Sequence, residues 1–322
     1  MPFIPHSGTH SIANNPLYRP SRYQLRPEHW ICQMEGLWDF GGPLSGHNNG
    51  AGSRSVHRVR NIARSWKGDS NYGDPYRPKV WSTGSNFAGE FRVGPYGRAG
   101  FISTNTSQNS LSRGWEIGGA SDSYWNDEKE YGFILVSYVT SEADSGTTRE
   151  ASTVFEFGGA SRGMQVFVGQ DWHQAILKND SDHEFSQLKS NDRSSKELIR
   201  IALRFNGPDA TFDAWVNGKR QTQITGTGSS ITTHSNEPGV GQANGQGPSA
   251  GFDTGFSGWI YQLSVHFNLA DGIDPFIMTN EQAEEWTMDP WQWCRPKRKL
   301  FFVTATETAT QRITGLRRRV RR

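Results

Sequence analysis

Residues 256–293 read FSGWIYQLSVHFNLADGIDPFIMTNEQAEEWTMDPWQW, and they carry the clearest structural signals of the chain. Apolar residues occupy largely alternating positions in its first half, which is typical of a half-buried strand: Ile260, Leu263, Val265 and Phe267. Thr279 to Gln282 forms a capping box, and the helix that it opens must end before Asp289-Pro290, because proline cannot continue a helix. The stretch therefore predicts a long strand, a short capped helix and a tryptophan-rich end.

Further strand-like runs recur between turn clusters over the rest of the chain. With the strand above, and with 36 glycines in 322 residues, they favour an all-β sandwich. The predicted strands are 32–40, 87–93, 100–104, 114–117, 133–138, 153–157, 164–168, 173–177, 198–205, 210–216 and 259–267. Residues 45–79 and 226–255 are predicted to be long loops.

Two more motifs point to a family. Gly36-Leu37-Trp38-Asp39-Phe40 stands near the start of the predicted sandwich, and Trp215-Val216-Asn217-Gly218-Lys219 contains an Asn-Gly pair that predicts a type I′ hairpin turn. Together with the closing strand and the DPWQ end, they resemble the laminin-G-like (concanavalin A-like) jelly rolls of phage and prophage structural proteins. The resemblance implies a jelly-roll β-sandwich with an extended N-terminal arm and a basic C-terminal tail.

The chain divides into three predicted parts: an extended arm at 1–29, the sandwich at 30–294 and a docking tail at 295–322. The arm contains five prolines and no period, so neither helix nor strand is expected in it. No apolar run approaches the 18 residues of a membrane helix, and the start has no basic and apolar signal pattern. We expect synthesis in a host cytoplasm, assembly into a virion and no membrane partner.

The charge of the chain is strongly asymmetric. The net charge is +2, but residues 295–322 carry ten Lys or Arg against Glu307 alone, which leaves −7 on the first 294 residues. The tail also contains KLFFVT (299–304), which reads as a strand offered to the edge of a neighbouring sheet. Docking on other virion proteins is therefore favoured over binding of nucleic acid, which remains the alternative. The predicted docking residues are Lys297, Arg298, Lys299, Leu300, Phe301, Phe302, Arg317, Arg318, Arg319, Arg321 and Arg322.

Catalytic signatures are missing from the sequence. Glucanases with a related sandwich carry E-x-D-x-x-E on one strand, and the nearest match here, Glu142-Ala143-Asp144, lacks the third carboxylate. The sequence has no G-x-S-x-G, H-E-x-x-H or P-loop motif. We therefore expect a protein that is not an enzyme and requires no cofactor.

The resemblance also suggests two kinds of ligand. Calcium is the common ion of laminin-G-like sandwiches, and Asp122 and Asp127 lie in the densest acidic loop, although a solvated acidic turn is the favoured interpretation. Trp215 falls on the polar side of its strand and is the candidate contact for a glycan or a partner protein. Whether Cys32 and Cys294 form a disulfide stays open.

The sequence thus predicts a non-enzymatic virion protein, present in many copies or as a homo-oligomer and anchored by its terminal segments. The alternative is a lectin-like module that binds a host surface glycan. The predicted inward-facing core residues are Leu37, Phe40, Phe133, Leu135, Val154, Phe167, Leu203, Phe212, Val216, Ile260, Leu263 and Val265.

Overall fold

The structure is a computed structural model, and it describes part of the chain. The described residues are 23–25, 29–33, 36–40, 47–49, 57–59, 79–80, 89–102, 115–116, 129–141, 151–159, 162–192, 194–231, 238–241, 254–269, 277–292 and 294–296.

Strands dominate these residues. The strands are β1 (Tyr23–Leu25), β2 (Gly36–Asp39), β3 (His47–Asn49), β4 (His57–Val59), β5 (Lys79–Val80), β6 (Gly89–Gly94), β7 (Gly97–Ile102), β8 (Trp115–Glu116), β9 (Lys129–Thr140), β10 (Ala151–Gly159), β11 (Arg162–Gly169), β12 (Trp172–Asn179), β13 (Asp182–Ser190), β14 (Ile199–Asn206), β15 (Thr211–Val216), β16 (Lys219–Arg220), β17 (Ile224–Thr225), β18 (Gly239–Val240), β19 (Thr254–Gly255), β20 (Gly258–Leu269) and β21 (Cys294–Pro296). The α-helix of the described chain is α1 (Asn280–Met288), and a 3-10 helix covers Trp30–Gln33.

The strands form two large sheets. The first sheet has the order β16-β15-β14-β9-β20-β7-β6, with β2 on β20 and β17 on β15. The second sheet has the order β13-β12-β11-β10-β18-β8-β5-β4-β3, with β19 on β10. Apolar residues of both sheets, such as Val136 and Val166, share one buried cluster, so the sheets face each other. The predicted all-β sandwich is confirmed.

The first sheet is buried on both faces, which the sequence interpretation did not foresee. In β9, Ile134 and Val136 join the cluster between the sheets, whereas Phe133 and Leu135 join a second cluster on the opposite face with Trp286 of α1. All the predicted core residues are buried. However, four of these side chains do not lie between the two sheets as predicted. Leu37, Phe133 and Leu135 lie under the helix, on the opposite face of the first sheet. Phe167 lies on the outer face of the second sheet. A strand that is covered on both sides has no polar face, so its sequence does not reveal which side chains lie between the sheets.

Helix α1 begins and ends where the sequence predicts. The Thr279 hydroxyl accepts a hydrogen bond from the Gln282 backbone amide, the Thr279 backbone amide donates to the Gln282 side-chain oxygen, and the helix stops before Asp289-Pro290. Trp286 and Trp291 bury the helix and its end against the first sheet.

Two arginines of β14 hold the two ends of this helix. Arg204 donates to the Met278 carbonyl oxygen at 2.6 Å, and Arg200 donates to the Met288 carbonyl oxygen at 2.6 Å. Four residues of strand and nine residues of helix both span about 14 Å, so the spacing of the arginines matches the length of the helix. The positively charged Arg200 also lies at the helix C-terminus, where a cation is favourable.

Tight turns follow the predicted chemistry. Asn217 and Gly218 have φ values of 48° and 82°, as a type I′ turn requires, and Val216 pairs with Lys219. The Ala210 amide donates to the Gly207 carbonyl oxygen at 2.8 Å and closes the turn between β14 and β15.

Some predictions of local structure were wrong. The first part of the predicted strand 32–40 belongs to the 3-10 helix, and the nine-residue strand β13 was missed because its sequence, DHEFSQLKS, is mostly polar. β3 and β4 lie within the loop predicted at 45–79. β1 lies within the arm that was expected to contain no strand.

Candidate functional site

The two ends of the domain leave it side by side. Strand β1 pairs antiparallel with β21, so that Tyr23 lies opposite Pro296 and Leu25 opposite Cys294. Strand β1 precedes the strands of the sandwich in the chain, and β21 follows them. Residues 1–22 and 297–322 therefore start from the same place on the domain, and the predicted docking residues of the tail, from Lys297 to Arg322, lie outside the described residues.

Trp215, the predicted glycan or partner contact, is not on the surface. Its side chain is fully buried, and the guanidinium groups of Arg204 and Arg220 stack over its ring at 5.1 and 5.6 Å from the centroid. The prediction failed because alternation correctly placed Trp215 on the outer face of the first sheet, but α1 and these arginines cover that face.

Asp213 organises the arginines around Trp215. Its carboxylate is fully buried and accepts from Arg204 at 2.7 Å, from Arg220 at 2.6 Å and from Gln223 at 3.1 Å. Arg204 also donates to the Asn280 side chain at 2.9 Å, which links the carboxylate to the start of the helix. These contacts are all internal, so we assign this network to the stability of the helix on the sheet.

The outer face of the second sheet carries a different set of polar groups. One row of directly opposed residues crosses four strands of this face: Glu156 on β10, Gln165 on β11, Ile176 on β12 and Glu184 on β13. The row is buried at Glu156 and Gln165 and exposed at Glu184. Glu156 accepts from the Gly239 amide at 3.2 Å. The accessible part of this face therefore lies on β12 and β13.

On β12, alternating side chains form what we call the β12 stripe: Trp172, Gln174 and Lys178, each half-buried. Residues two apart on a strand are separated by about 7 Å, so the stripe extends over about 20 Å. It presents an aromatic ring, an amide and a cation in a line. Lys178 pairs with Asp182 at 3.2 Å, and the Gln174 amide donates to the Ser186 carbonyl oxygen at 2.9 Å.

Glu184 lies beside the stripe on the neighbouring strand. Partial burial, and secondly the negative charge of Asp182, raise the pKa of Glu184 from its ordinary value. Both effects make this carboxyl easier to protonate than an isolated glutamate.

The carboxylates of the outer face do not have the spacing of a glycosidase pair. Glu156 and Glu184 are three strand intervals apart, which corresponds to about 14 Å. Retaining enzymes need about 5 Å between the two carboxyl groups and inverting enzymes about 6.5 to 9.5 Å. The two glutamates therefore cannot act together on one glycosidic bond.

The residues suggested for metal binding, Asp122 and Asp127, lie outside the described residues. The Glu142 to Asp144 segment, which was compared with a glucanase motif, also lies outside them. Within the described ranges, His, Cys, Asp and Glu form no group of three or more that could hold a metal ion.

The side chains of Cys32 and Cys294 are also outside the described part of the structure. The described helices include none long and apolar enough to span a membrane.

A polar contact crosses the interior of the sandwich. The hydroxyl of Tyr138 on β9 lies 2.8 Å from Nδ1 of His173 on β12, and both side chains are buried. Burial raises the pKa of Tyr138 well above its ordinary value. The contact thus joins the two sheets with a neutral tyrosine, and periodicity could not have revealed it because the two residues are 35 positions apart.

Comparison with known proteins finds partial matches at the level of structure. No family model and no curated protein sequence matches the chain. The chain is similar to the CBM40 domain of a sialidase from Ruminococcus gnavus, with 11% identity, 54% of this chain and 92% of that chain covered, and a TM-score of 0.38. Domain 4 of an extracellular arabinanase from Geobacillus stearothermophilus, solved with arabinotriose, matches at 14% identity, 62% and 81% coverage and a TM-score of 0.39. The binding domain of botulinum neurotoxin serotype D matches at 10% identity, 80% and 51% coverage and a TM-score of 0.43.

Proposed function

We propose that this protein is a non-enzymatic structural component of a phage particle, present in many copies and held in place by its terminal segments. The observation that carries the proposal is the β1–β21 ribbon, from which both terminal segments leave the domain together. The resemblance of the chain to phage laminin-G-like proteins supports the same function. Two segments that start at one point can engage one neighbouring surface at the same time.

The charge distribution fits such an anchor. The terminal 28 residues carry a local charge of +9, while the preceding 294 residues sum to −7. Opposite charges on the tail and on the body of neighbouring copies, or on another acidic virion protein, would steer association and fix its orientation. The interaction should weaken as salt increases, because exposed charges are screened.

The test is quantitative mass spectrometry of particles purified from cells that produce the phage or prophage. We expect this chain to co-purify with the particle in many copies and to remain after nuclease treatment. Absence of the chain from purified particles would refute the proposal. Release of the chain by nuclease would instead assign the tail to nucleic acid.

A second candidate function is recognition of a surface glycan, and the β12 stripe is the observation that favours it. Aromatic rings stack on sugar faces, and amide and carboxylate groups bond to sugar hydroxyls. Trp172, Gln174 and Glu184 present these groups at an accessible edge of one face. A glycan array tests this function with the full-length chain, Trp172→Ala and the matched control Glu284→Ala, which changes an exposed residue of α1. We expect binding that Trp172→Ala removes and Glu284→Ala retains; an array without hits would remove this function.

A further inference from the structure

The first sheet ends in an open strand. In the described part of the chain, β6 pairs with β7 on one side and with no strand on the other. Its six residues pair with β7 in unbroken register, from Gly89 opposite Ile102 to Gly94 opposite Gly97. Val93 on this strand is 81% exposed, although a valine side chain is usually buried. A regular edge with an exposed apolar residue is suited to accept another strand.

The open edge of the second sheet is less suitable. In β13 the register against β12 shifts between Lys189 and Phe185, which marks a bulge, and Asp182 and Glu184 are exposed charges near its start. Bulges and charges are the features by which edge strands discourage added strands. The remaining end strands, β3 and β16, have only three and two residues.

The tail of the same chain begins near β6. The Trp291 ring lies 6.3 Å from the Tyr261 ring, and the Tyr261 hydroxyl accepts from the Tyr96 amide, which lies in the turn between β6 and β7. Pro296, which ends β21, is five residues from Trp291 and so lies within about 17 Å of it. The three further residues to Lys299 add up to about 10 Å, so the segment 299–304 has the length to reach β6 without a neighbouring copy.

We propose that residues 299–304 (KLFFVT) of the same chain add to the open edge of β6 as a further strand and cover Val93. The segment has six residues, as β6 has. A tethered segment acts at an effective concentration of the order of millimolar, so its own domain is favoured over another copy. The inference refines the proposed function, because it leaves residues 305–322, with Arg317, Arg318 and Arg319, as the part of the tail that docks on the particle.

Amide hydrogen exchange on the full-length protein tests this inference. We expect the amides of β6 to exchange at least about tenfold faster after truncation of residues 299–322, because the added strand no longer protects them. Truncation of residues 305–322 is the matched control and should leave β6 protected. The double substitution Leu300→Asp with Phe302→Asp should act as the longer truncation does. Exchange in β13 serves as the internal measure of folding and should not change in any variant.

Two results would overturn the inference. One is unchanged exchange of β6 in both the longer truncation and the double substitution. The other is loss of β6 protection when the full-length protein is diluted about a hundredfold, since this would show that a second copy donates the strand. The proposed function is tested separately: the 305–322 truncation should keep β6 protected and yet fail to join particles.

Discussion

At the scale of residues, the outer face of the first sheet depends on one buried carboxylate. The carboxylate of Asp213 forms ion pairs with Arg204 and Arg220. Arg204 also donates to the Met278 carbonyl oxygen and to the Asn280 side chain at the start of α1. Its neighbour Trp215 is enclosed by the same arginines. The outer face of β15 thus carries polar residues because they form an internal ion network, although this face is not exposed to solvent.

Asp213→Ala should lower the free energy of unfolding by about 3 kcal/mol or more, because Arg204 and Arg220 lose their buried counter-ion. The matched control is Asp182→Ala, which removes an exposed ion pair with Lys178 and should cost less than about 1 kcal/mol. Urea unfolding of the three proteins measures both values. Equal losses in the two variants would show that the Asp213 network does not stabilise the fold as described.

Tyr138→Phe should cost about 1 kcal/mol near neutral pH, because it removes the hydrogen bond with His173 across the sandwich. The folded protein holds the Tyr138 proton more tightly than the unfolded chain, whose tyrosine pKa is 10.0. The stability due to this difference is complete below pH 10 and decreases as the pH rises above it. Thermal unfolding from about pH 9 to about pH 11 should therefore show a steeper decrease for wild type than for the variant. Parallel decreases would contradict this role of Tyr138.

At the scale of elements, the sequence predicted those units whose signals are local. The capping box at Thr279, the stop at Asp289-Pro290 and the Asn217-Gly218 turn all rest on neighbouring residues, and all are present. Which side chains of β9 face the second sheet could not be predicted, because apolar groups line both faces of this strand. The helix α1 that covers one of these faces comes from a distant part of the chain. Strand β13 was missed because an exposed edge strand needs few apolar residues.

The turn that leads from β14 to β15 is sensitive to added volume. A Cβ atom at Gly207 would clash with the backbone of Ser229 and would lie 2.7 Å from the Glu130 carbonyl oxygen, whereas one at Gly226 meets no atom within 4 Å. Gly226 has a φ of 77°, so Gly226→Ala tests the conformational cost alone, about 1 kcal/mol. Gly207→Ala should cost more, about 3 kcal/mol, since backbone atoms must move. Chemical denaturation measures both, and a smaller loss for Gly207→Ala would mean that the loop at Ser229 is not packed on this turn.

At the scale of the whole molecule, the candidate sites were harder to predict than the fold. The charge asymmetry is visible in the sequence, but the pairing of Tyr23–Leu25 with Cys294–Pro296 is not, because it joins short segments about 270 positions apart. The burial of Trp215 and the accessibility of Trp172 likewise depend on what covers each face of a sheet. Alternation assigns a residue to a face and leaves open whether that face is covered.

Anchoring of this domain to a particle by its terminal segments can be measured in a competition experiment. Full-length chain and a variant truncated after Pro296, which keeps the β1–β21 ribbon, are co-expressed with the other particle proteins and quantified in purified particles. We expect the full-length chain to be incorporated and the truncated chain to be largely excluded, although the truncated chain still folds. A third chain, with Arg317, Arg318 and Arg319 changed to Glu, should be incorporated less than wild type, because its docking charge is reversed. Incorporation of the truncated chain in equal amount to the full-length chain would show that the tail does not anchor the domain.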